Sequence, residues 1–370
     1  MEGQKRVGIL TFPYSSSFGA TLQMYALYRT VTALGCEAEL INYHNAYMKE
    51  CRHTAPFHKQ PRLKQWLHRG AQWLLHRRQR SKFREFEKEM ARYPATVLET
   101  PETLSTVAER YECVICGSDQ VWNPDITGRD LSYFLNFCGA ATRRISYAPS
   151  FGVESLPADL AEAVAEECRR FSHLSVREAQ GQRLVEELTG HTPPLVVDPT
   201  LLMTGEAWAR EETPHPAAKG EYILYYTVRH SDSLFRFCLE LAQKSGLKVL
   251  IAGGNAVRRL FNRDDRLEYA CDLSPREWLY LLHRARYVVT NSFHGTAFSI
   301  NYRKDFYVEF SSLTNSRLSH IVSTLGLDKQ VVTPGEVDLS PADYTRTEQL
   351  LPRLRADSLR FLQNAVEDDR

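Results

Sequence analysis

Residues 6–43 read RVGILTFPYSSSFGATLQMYALYRTVTALGCEAELINY, and the prediction of the fold class starts from them. An apolar strand at 6–11 is followed by a turn-rich loop, a helical pattern that ends at Gly35, and a second strand at 37–43. A strand, loop, helix and strand in this order begin a Rossmann-like α/β domain. The loop has only one well-placed glycine, so it lacks the glycine fingerprint of dinucleotide-binding proteins.

The same alternation continues along the chain. In the first half we predict strands at 111–116, 144–148, 173–177 and 195–199, and helices at 157–170 and 178–188. In the second half we predict strands at 222–228, 248–252, 287–290 and 305–309, and helices at 231–245, 275–284, 296–302 and 345–368. The prediction is an α/β protein in which two Rossmann-like domains face a cleft, with ligands at the carboxyl ends of the strands.

The domain boundaries follow from composition. A chain of 370 residues suggests two domains. We expect an N-terminal domain at 1–208, with a basic helical insertion at 52–92, and a charged, proline-containing linker at 209–220. The second domain is expected at 221–344, and a helical stretch at 345–370 is expected to return to the first domain.

Charge and hydropathy exclude several classes of protein. The net charge of +1 argues against a general nucleic-acid binder. No apolar run approaches the roughly 18 residues that a membrane span needs, and the first apolar run is too short for a signal peptide. Eight scattered cysteines are consistent with reduced thiols. These features predict a cytoplasmic protein.

The segment 52–92 departs from this even balance. Its twelve Lys or Arg and three Glu give a net charge of +9, so the rest of the chain carries −8. Leu63, Trp66 and Trp73 belong to an apolar stripe that continues through Phe83 and Phe86. Two interpretations stay open: a helix packed on the core with a solvated basic face, or contact with an anionic membrane surface or a lipid-linked anionic substrate.

The strongest local signal for a site is Val289-Thr-Asn-Ser-Phe-His-Gly-Thr-Ala297. A strand ends here, a polar turn follows, and a helix is predicted to begin at about Thr296. Backbone N–H groups at a helix start favour an anion. A histidine in that turn, His294, can give or take a proton near neutral pH. The alternative is a capping turn whose histidine only makes local hydrogen bonds.

Other polar groups follow strands of the first domain. Arg177 could hold a carboxylate or phosphate with paired hydrogen bonds, or could form an ion pair with a nearby acid. Ser118 and Asp119 could bind sugar hydroxyls, or could cap a helix. The remaining candidates in this domain are Gly117 after the same strand and Ser17, Gly19 and Gln23 in and after the first loop.

A metal site is not expected. Cys113 and Cys116 form a lone C-x-x-C on a predicted strand, where residues three apart point to opposite faces. No second pair lies nearby, so the pattern does not fit zinc.

Taken together, these segments resemble the polysaccharide pyruvyltransferase family. The resemblance covers most of the chain and rests on six motifs in order: FGATLQ (18–23), CGSDQVWNP (116–124), YAPSFG (147–152), SVRE (175–178), VDPTLL (197–202) and TNSFHGTAF (290–298). It implies two Rossmann-like domains arranged as in a GT-B glycosyltransferase. It also implies transfer of pyruvyl from phosphoenolpyruvate to two hydroxyls of one sugar, forming a cyclic ketal, with no metal or organic cofactor.

The resemblance also implies roles for individual residues. The acceptor would be a sugar of a surface polysaccharide or of its lipid-linked precursor. Contact through the basic segment 52–92 would place the enzyme at the inner face of the membrane. His294 would supply a proton, Arg177 would hold the donor's carboxylate or phosphate, and the helix start after Gly295 would hold the phosphate, near Thr296. Better-known members carry arginine at the position of Ser292. Asn291, Ser292 or Arg317 is expected to take its place, or the donor differs.

Two further functions stay open. A GT-B glycosyltransferase using a nucleotide-sugar would share the architecture, and Gly253-Gly254 after a strand fits a nucleotide site. A non-catalytic sugar-binding or scaffolding protein with this fold is the third possibility.

Overall fold

The structure is a computed structural model, which describes residues 4–12, 17–45, 47–48, 77–90, 92, 98, 100–253, 264–310 and 315–368. Their contacts divide into two compact units. Unit 1 holds the described residues up to Met48, Glu87–Leu202, and the described residues from Arg353 onward. Unit 2 holds Arg77 to Phe86 and Met203–Pro352. Each unit is a parallel sheet with flanking helices, so the α/β class predicted from the sequence is confirmed.

The sheet of unit 1 has five parallel strands in the order β2-β1-β3-β4-β5. They are β1 (Arg6–Leu10), β2 (Glu37–Leu40), β3 (Cys113–Cys116), β4 (Arg143–Ser146) and β5 (His173–Leu174). The strand order reverses between β1 and β3, which pair from Val7 with Cys113 to Leu10 with Cys116. Ligands in open parallel sheets bind at the carboxyl ends of strands at such a reversal.

Alternation along these strands builds a core on each face. Val7, Ile9 and Cys113 lie in one buried cluster, whereas Leu10 and Cys116 lie in the other. The two cysteines of the C-x-x-C therefore point to opposite faces, as predicted. Burial raises the pKa of the Cys113 thiol to about 12, so this group stays protonated near neutral pH.

The helices of unit 1 connect these strands. They are α1 (Phe18–Ala33), α2 (Arg77–Met90, shared with unit 2), α3 (Pro101–Ala108), α4 (Pro124–Thr127), α5 (Ala158–Arg169), α6 (Ala179–Thr189) and α7 (Pro199–Leu202). The predicted strand at 195–199 is wrong. Leu195 makes only an isolated bridge to Val176, and Asp198 leads directly into helix α7.

The sheet of unit 2 has five parallel strands in the order β10-β9-β6-β7-β8. They are β6 (Tyr222–Tyr226), β7 (Lys248–Ala252), β8 (Leu267–Ala270), β9 (Tyr287–Thr290) and β10 (Asp305–Val308). Within the unit, this is the 3-2-1-4-5 order of the Rossmann fold, and its reversal lies between β6 and β9. Strand β8 was not predicted from the sequence.

Helices cover this sheet too. They are α8 (Gly205–Ala209), α9 (Asp232–Ser245), α10 (Pro275–Arg284), α11 (Phe293–Asn301), α12 (Asn315–Thr324) and α13 (Thr345–Glu367). Helix α10 has the bounds predicted for it. Its start carries a capping box between Ser274 and Glu277, with Pro275 in the first turn.

The last helix, α13, contributes to the core of unit 1. Leu362, Ala365 and Val366 are fully buried in the same cluster as Val7 and Ile9 of β1. Unit 1 is therefore completed by a segment that follows all of unit 2 in the sequence.

The basic segment is described only in part, because 52–76 lies outside the described residues. Phe83 and Phe86 on α2 are buried, and Lys82 pairs with Glu277 of α10 at 2.7 Å. The apolar stripe of this helix thus packs on the protein, which favours the first of the two interpretations for 77–90. No helix in the described ranges combines the length and hydropathy of a membrane span. Membrane contact through 52–76 stays a prediction.

Candidate active site

In unit 2, the candidate residues lie where the strand order reverses. Asn291 directly follows β9, and its side chain bridges to the loop after β6. Its Nδ2 donates to the carbonyl of Arg229 at 2.9 Å, and its Oδ1 accepts from the N–H of Val228 at 3.0 Å. Asn291 therefore links, through two hydrogen bonds, the segments that follow β9 and β6, the two strands on either side of the reversal.

Ser292 begins helix α11. Its Oγ accepts a hydrogen bond from the N–H of Gly295 at 3.2 Å, and its carbonyl accepts from Thr296 Oγ1 at 3.1 Å. The helix thus begins at Phe293 and not at about Thr296 as predicted. The serine acts as an N-cap, which allows His294 and Gly295 to lie inside the first helical turn. Both Ser292 and Thr296 are buried and engaged in this cap.

Gly295 lets the helix approach the strand closely. A Cβ at this position would overlap Thr290 Oγ1 and lie 3.2 Å from both Thr290 Cβ and a Tyr226 ring carbon. The same helix is held by an aromatic cluster, in which Phe298 lies edge-on to Trp208 at 5.0 Å and to Trp278 at 5.4 Å. The helix start is therefore fixed by packing as well as by its cap.

We expect Gly295→Ala to lower the free energy of unfolding by about 1–3 kcal/mol, because the added methyl overpacks a rigid contact. Gly139→Ala is the matched control, since a Cβ there meets nothing within 4 Å. Urea denaturation of both variants measures the difference. Equal midpoints for the two variants would show that the close approach of α11 to β9 does not limit residue 295.

His294 is 7% exposed, and its ring lies edge-on to Phe293 with centroids 5.2 Å apart. Arg317, on helix α12, is 6% exposed, and α12 contacts α11. The candidate residues Asn291, Ser292, His294, Gly295 and Thr296 thus lie together at the carboxyl edge of the unit 2 sheet, with Arg317 on a neighbouring helix.

In unit 1, candidate residues also meet at the strand reversal. Gln23 on α1 donates from Nε2 to Thr11 Oγ1 at 2.9 Å, and Thr11 Oγ1 donates to the carbonyl of Ser118 at 3.1 Å. Gln23 and Ser118 are buried, so their contacts hold the ends of β1 and β3 together.

Gly117 packs closely against Leu27 and Thr11, and a Cβ at this glycine would lie 3.1 Å from each of them. Ser17 is exposed before α1 and Gly19 is buried within it.

Arg177 lies in a buried polar network. Its Nη1 contacts Asp198 Oδ2 at 2.8 Å, and its Nε contacts Glu178 Oε2 at 3.3 Å. The Ser118 hydroxyl donates to Asp198 Oδ2 at 2.8 Å, and the Ser150 hydroxyl donates to Glu178 Oε1 at 2.6 Å. The network joins segments that follow β3, β4 and β5.

These contacts show the ion pair that the sequence left open for Arg177. Burial alone would lower the pKa of its guanidinium, but the carboxylates of Glu178, Asp198 and Asp119 raise that pKa above its usual value. Its side chain is only 2% exposed. The other role expected for Arg177, holding the donor's carboxylate or phosphate, stays a prediction.

Asp119 differs from the rest of this network. It is half-buried, with a backbone φ of +78°, a conformation that non-glycine residues rarely adopt. The buried Ala148, after the neighbouring strand β4, also has a positive φ of +54°. Strained backbone of this kind clusters at functional sites. Asp119 therefore stays a candidate for ligand contact.

Comparison with known proteins assigns the chain. A model of the polysaccharide pyruvyl transferase family matches residues 18–308, more than three quarters of the sequence. This chain belongs to the polysaccharide pyruvyl transferase family. The resemblance predicted from the sequence is thus confirmed, and the family identifies the protein as a transferase. A search of curated proteins finds no significant match.

Solved structures agree on the fold of this pyruvyl transferase family member. HepE of Anabaena, solved with UDP and glucose, has a TM-score of 0.51 and 10% identity, covering 98% of this chain and 94% of its own. MnaA of S. aureus, solved with UDP, has a TM-score of 0.51 and 13% identity, covering 98% and 91%. At such low identity these matches establish the GT-B-type fold alone.

Sequence reasoning missed the partners of Arg177 in this family member. Asp198 accepts from both the N–H and the hydroxyl of Thr200, at 3.0 and 2.7 Å, so it caps helix α7. The signal was present, because aspartate followed by proline is a typical helix start. Among the described residues, no three His, Cys, Asp or Glu side chains are placed to hold a metal ion.

Proposed function

We propose that this protein transfers a pyruvyl group from phosphoenolpyruvate to two hydroxyls of one sugar, forming a pyruvate ketal. The acceptor belongs to a surface polysaccharide or its lipid-linked precursor. The observation that carries the proposal is the position of His294, inside the first turn of a helix at the strand reversal of unit 2. A proton donor and a helix start that favours a phosphate are there combined.

The chemistry requires one protonation and two additions. His294 protonates the methylene carbon of phosphoenolpyruvate, which makes the neighbouring carbon electrophilic. One sugar hydroxyl adds to that carbon and loses its proton. The bond between that carbon and the bridging phosphate oxygen then breaks, and inorganic phosphate leaves. The second hydroxyl adds to the same carbon and closes the ketal. Of the two protons lost by the hydroxyls, one restores the proton of His294 and the other is taken by the leaving phosphate.

Donor binding is proposed for unit 2. The start of α11 faces the phosphate, and Arg317 on the adjoining helix supplies positive charge in place of the arginine that relatives carry at the position of Ser292. Arg177 is proposed as a positioning residue that fixes the loops of unit 1. Asp119 is proposed to accept hydrogen bonds from sugar hydroxyls, because this residue is half-buried whereas Glu178 and Asp198 are buried.

A second candidate is a glycosyltransferase that uses a nucleotide-sugar. Two observations favour it: the fold relatives HepE and MnaA were solved with UDP, and Gly253 after β7 has a φ of +70°, which suits a tight loop. Gly254 lies outside the described residues. A non-catalytic sugar-binding protein is the third candidate.

One set of titrations separates these candidates. Ligands that bind the native state raise its melting temperature. We expect phosphoenolpyruvate to do so, and mass spectrometry of incubated glycan acceptors to show the pyruvate ketal. Stabilisation by a UDP- or GDP-sugar alone would select the glycosyltransferase, and stabilisation by glycan alone would select the binding protein.

Ser292→Arg tests the donor assignment. The substitution adds a charge beside the phosphate, and a charge-assisted hydrogen bond contributes about 1.5–3 kcal/mol, so the Kd for phosphoenolpyruvate is expected to fall about tenfold or more. Loss of the serine cap costs about 0.5–2 kcal/mol of stability, and Ser292→Ala is the control that measures this cost alone. Calorimetry gives both affinities. If neither wild type nor Ser292→Arg binds phosphoenolpyruvate, the donor assignment is wrong.

A further inference from the structure

A cavity lies in unit 1, at the edge of the sheet opposite the Arg177 network. Its volume is about 650 Å³. The cavity is lined by residues at the start of four strands. Lys5 directly precedes β1, and Glu112 directly precedes β3. Arg143 is the first residue of β4, and Ser172 directly precedes β5. The cavity therefore opens at the amino ends of the strands, whereas Ser118 and Arg177 follow the carboxyl ends.

Positive charge dominates its lining. Lys5, Arg143, Arg144 and Arg170 line the cavity, with Glu112 as the only acidic residue among its lining residues. Glu167, behind the lining, pairs with Arg144 at 2.7 Å and with Arg170 at 3.2 Å. The lining of the cavity thus holds four cationic side chains and one acidic side chain, and two of the four cations pair with Glu167.

Two of these cations are held by neutral carbonyls. Arg143 donates to the carbonyls of Ala365 and Val366 at 2.9 and 3.3 Å, and Lys5 donates to that of Glu367 at 2.8 Å. These carbonyls end helix α13, where a cation is favoured. The bonds fix both side chains in place without cancelling their formal charge. A guanidinium has five N–H groups, so Arg143 has the capacity for a further acceptor.

The remaining wall is a loop of small residues. Gly139, Ala140 and Ala141 line the cavity, are exposed and carry no polar side chain, so the only polar atoms of these residues are those of the backbone. The N–H of Thr142 donates to the carbonyl of Gly139 at 3.2 Å and closes the turn. Backbone N–H groups of tight turns and arginine guanidinium groups are the donors with which proteins bind phosphate.

We propose that this cavity is a binding site for a phosphate-bearing anion. Lys5, Arg143 and Arg170 supply the charge, the buried Arg144 holds the wall by donating to the carbonyl of Cys138 at 2.7 Å, and the 139–141 loop supplies backbone donors. A volume of 650 Å³ lies in the range of small-molecule sites and accommodates a sugar phosphate or a mononucleotide. The site is separate from the donor site proposed in unit 2 and does not depend on it.

Calorimetry with inorganic pyrophosphate on the full chain tests the site. In the first pair of variants, Gly139→Glu places a carboxylate at the rim, and the control Gly139→Gln adds a neutral side chain of the same size in the same open space. In the second pair, Arg170→Gln removes one cation from the lining. Its control is Arg169→Gln, which removes an exposed neighbouring arginine that does not line the cavity. We expect the Kd to rise about tenfold or more for Gly139→Glu and Arg170→Gln, and to stay within about twofold for the two controls.

Two results would overturn the proposal: no pyrophosphate binding by wild type, or equal binding by Gly139→Glu and Gly139→Gln. Co-sedimentation with vesicles identifies the source of the phosphate. If Gly139→Glu but not Gly139→Gln also loses binding to phosphatidylglycerol vesicles, the bound group is a lipid headgroup. If the calorimetric effect appears with unchanged vesicle binding, the ligand is a soluble phosphate ester.

Discussion

Replacing His294 by glutamine is expected to lower the rate of ketal formation by about 10²–10⁴-fold, which is the usual cost of losing a positioned general acid. Glutamine keeps much of the volume of the imidazole in a site that is only 7% exposed, so the fold should survive. It cannot transfer a proton in the pH range of the reaction. The loss should appear in kcat, with a smaller change in the KM for phosphoenolpyruvate.

The control for His294→Gln is His191→Ala, which removes an exposed histidine after helix α6. We expect this control to turn over at the wild-type rate. Circular dichroism should give the same spectrum for all three proteins. A His294→Gln variant with near wild-type kcat would remove this residue from the mechanism and leave it as a local part of the α11 start.

Arg177→Ala is expected to lower the free energy of unfolding by about 3–5 kcal/mol, the usual cost of leaving buried charges without their partner. Asp198 and Glu178 are both buried and both contact this guanidinium. Arg177→Lys keeps the positive charge, but an ammonium group lacks the planar guanidinium geometry that contacts both carboxylates. We therefore expect an intermediate loss of free energy of unfolding. Urea denaturation measures each variant.

Two further variants make this prediction specific. Arg169→Ala, on the exposed end of α5, should change stability by no more than about 0.5 kcal/mol. In Arg177→Ala/Asp198→Ala the second substitution removes one of the stranded charges, so the double variant should lose less than the sum of the singles. If Arg177→Ala has wild-type stability and a raised KM for phosphoenolpyruvate, Arg177 binds the donor and is not needed for stability.

The sequence predicted best those elements whose ends carry local signals. Helix α10 has the expected bounds because Ser274, Pro275 and Glu277 specify its start within four residues. Strands β7 and β9 are short apolar runs between turn residues, and they too lie where predicted. Local chemistry decides such boundaries, so one sequence is enough to find them.

The errors have two causes. The start of α11 was placed too late because the polar run from Asn291 to Gly295 was assigned to a turn, whereas Ser292 caps a helix that already begins at Phe293. The ion pair of Arg177 joins residues 21 positions apart through the fold, and no spacing rule predicts it. The candidate residues of each unit were identified by type and strand position, but their partners required the structure.

Helix α13 has a consequence for the order of folding during synthesis. Val366 contributes its carbonyl to Lys5, which lies 361 positions earlier, and buries its side chain against β1. Domains generally fold on the ribosome as units as they emerge, at about 5–20 residues per second. Strands β1 and β2 of unit 1 are made before unit 2, yet their core is incomplete until α13 has been translated. Unit 2 therefore has all of its strands before unit 1 is complete, and in the interval Val7 and Ile9 of β1 lack their contacts with Leu362, Ala365 and Val366.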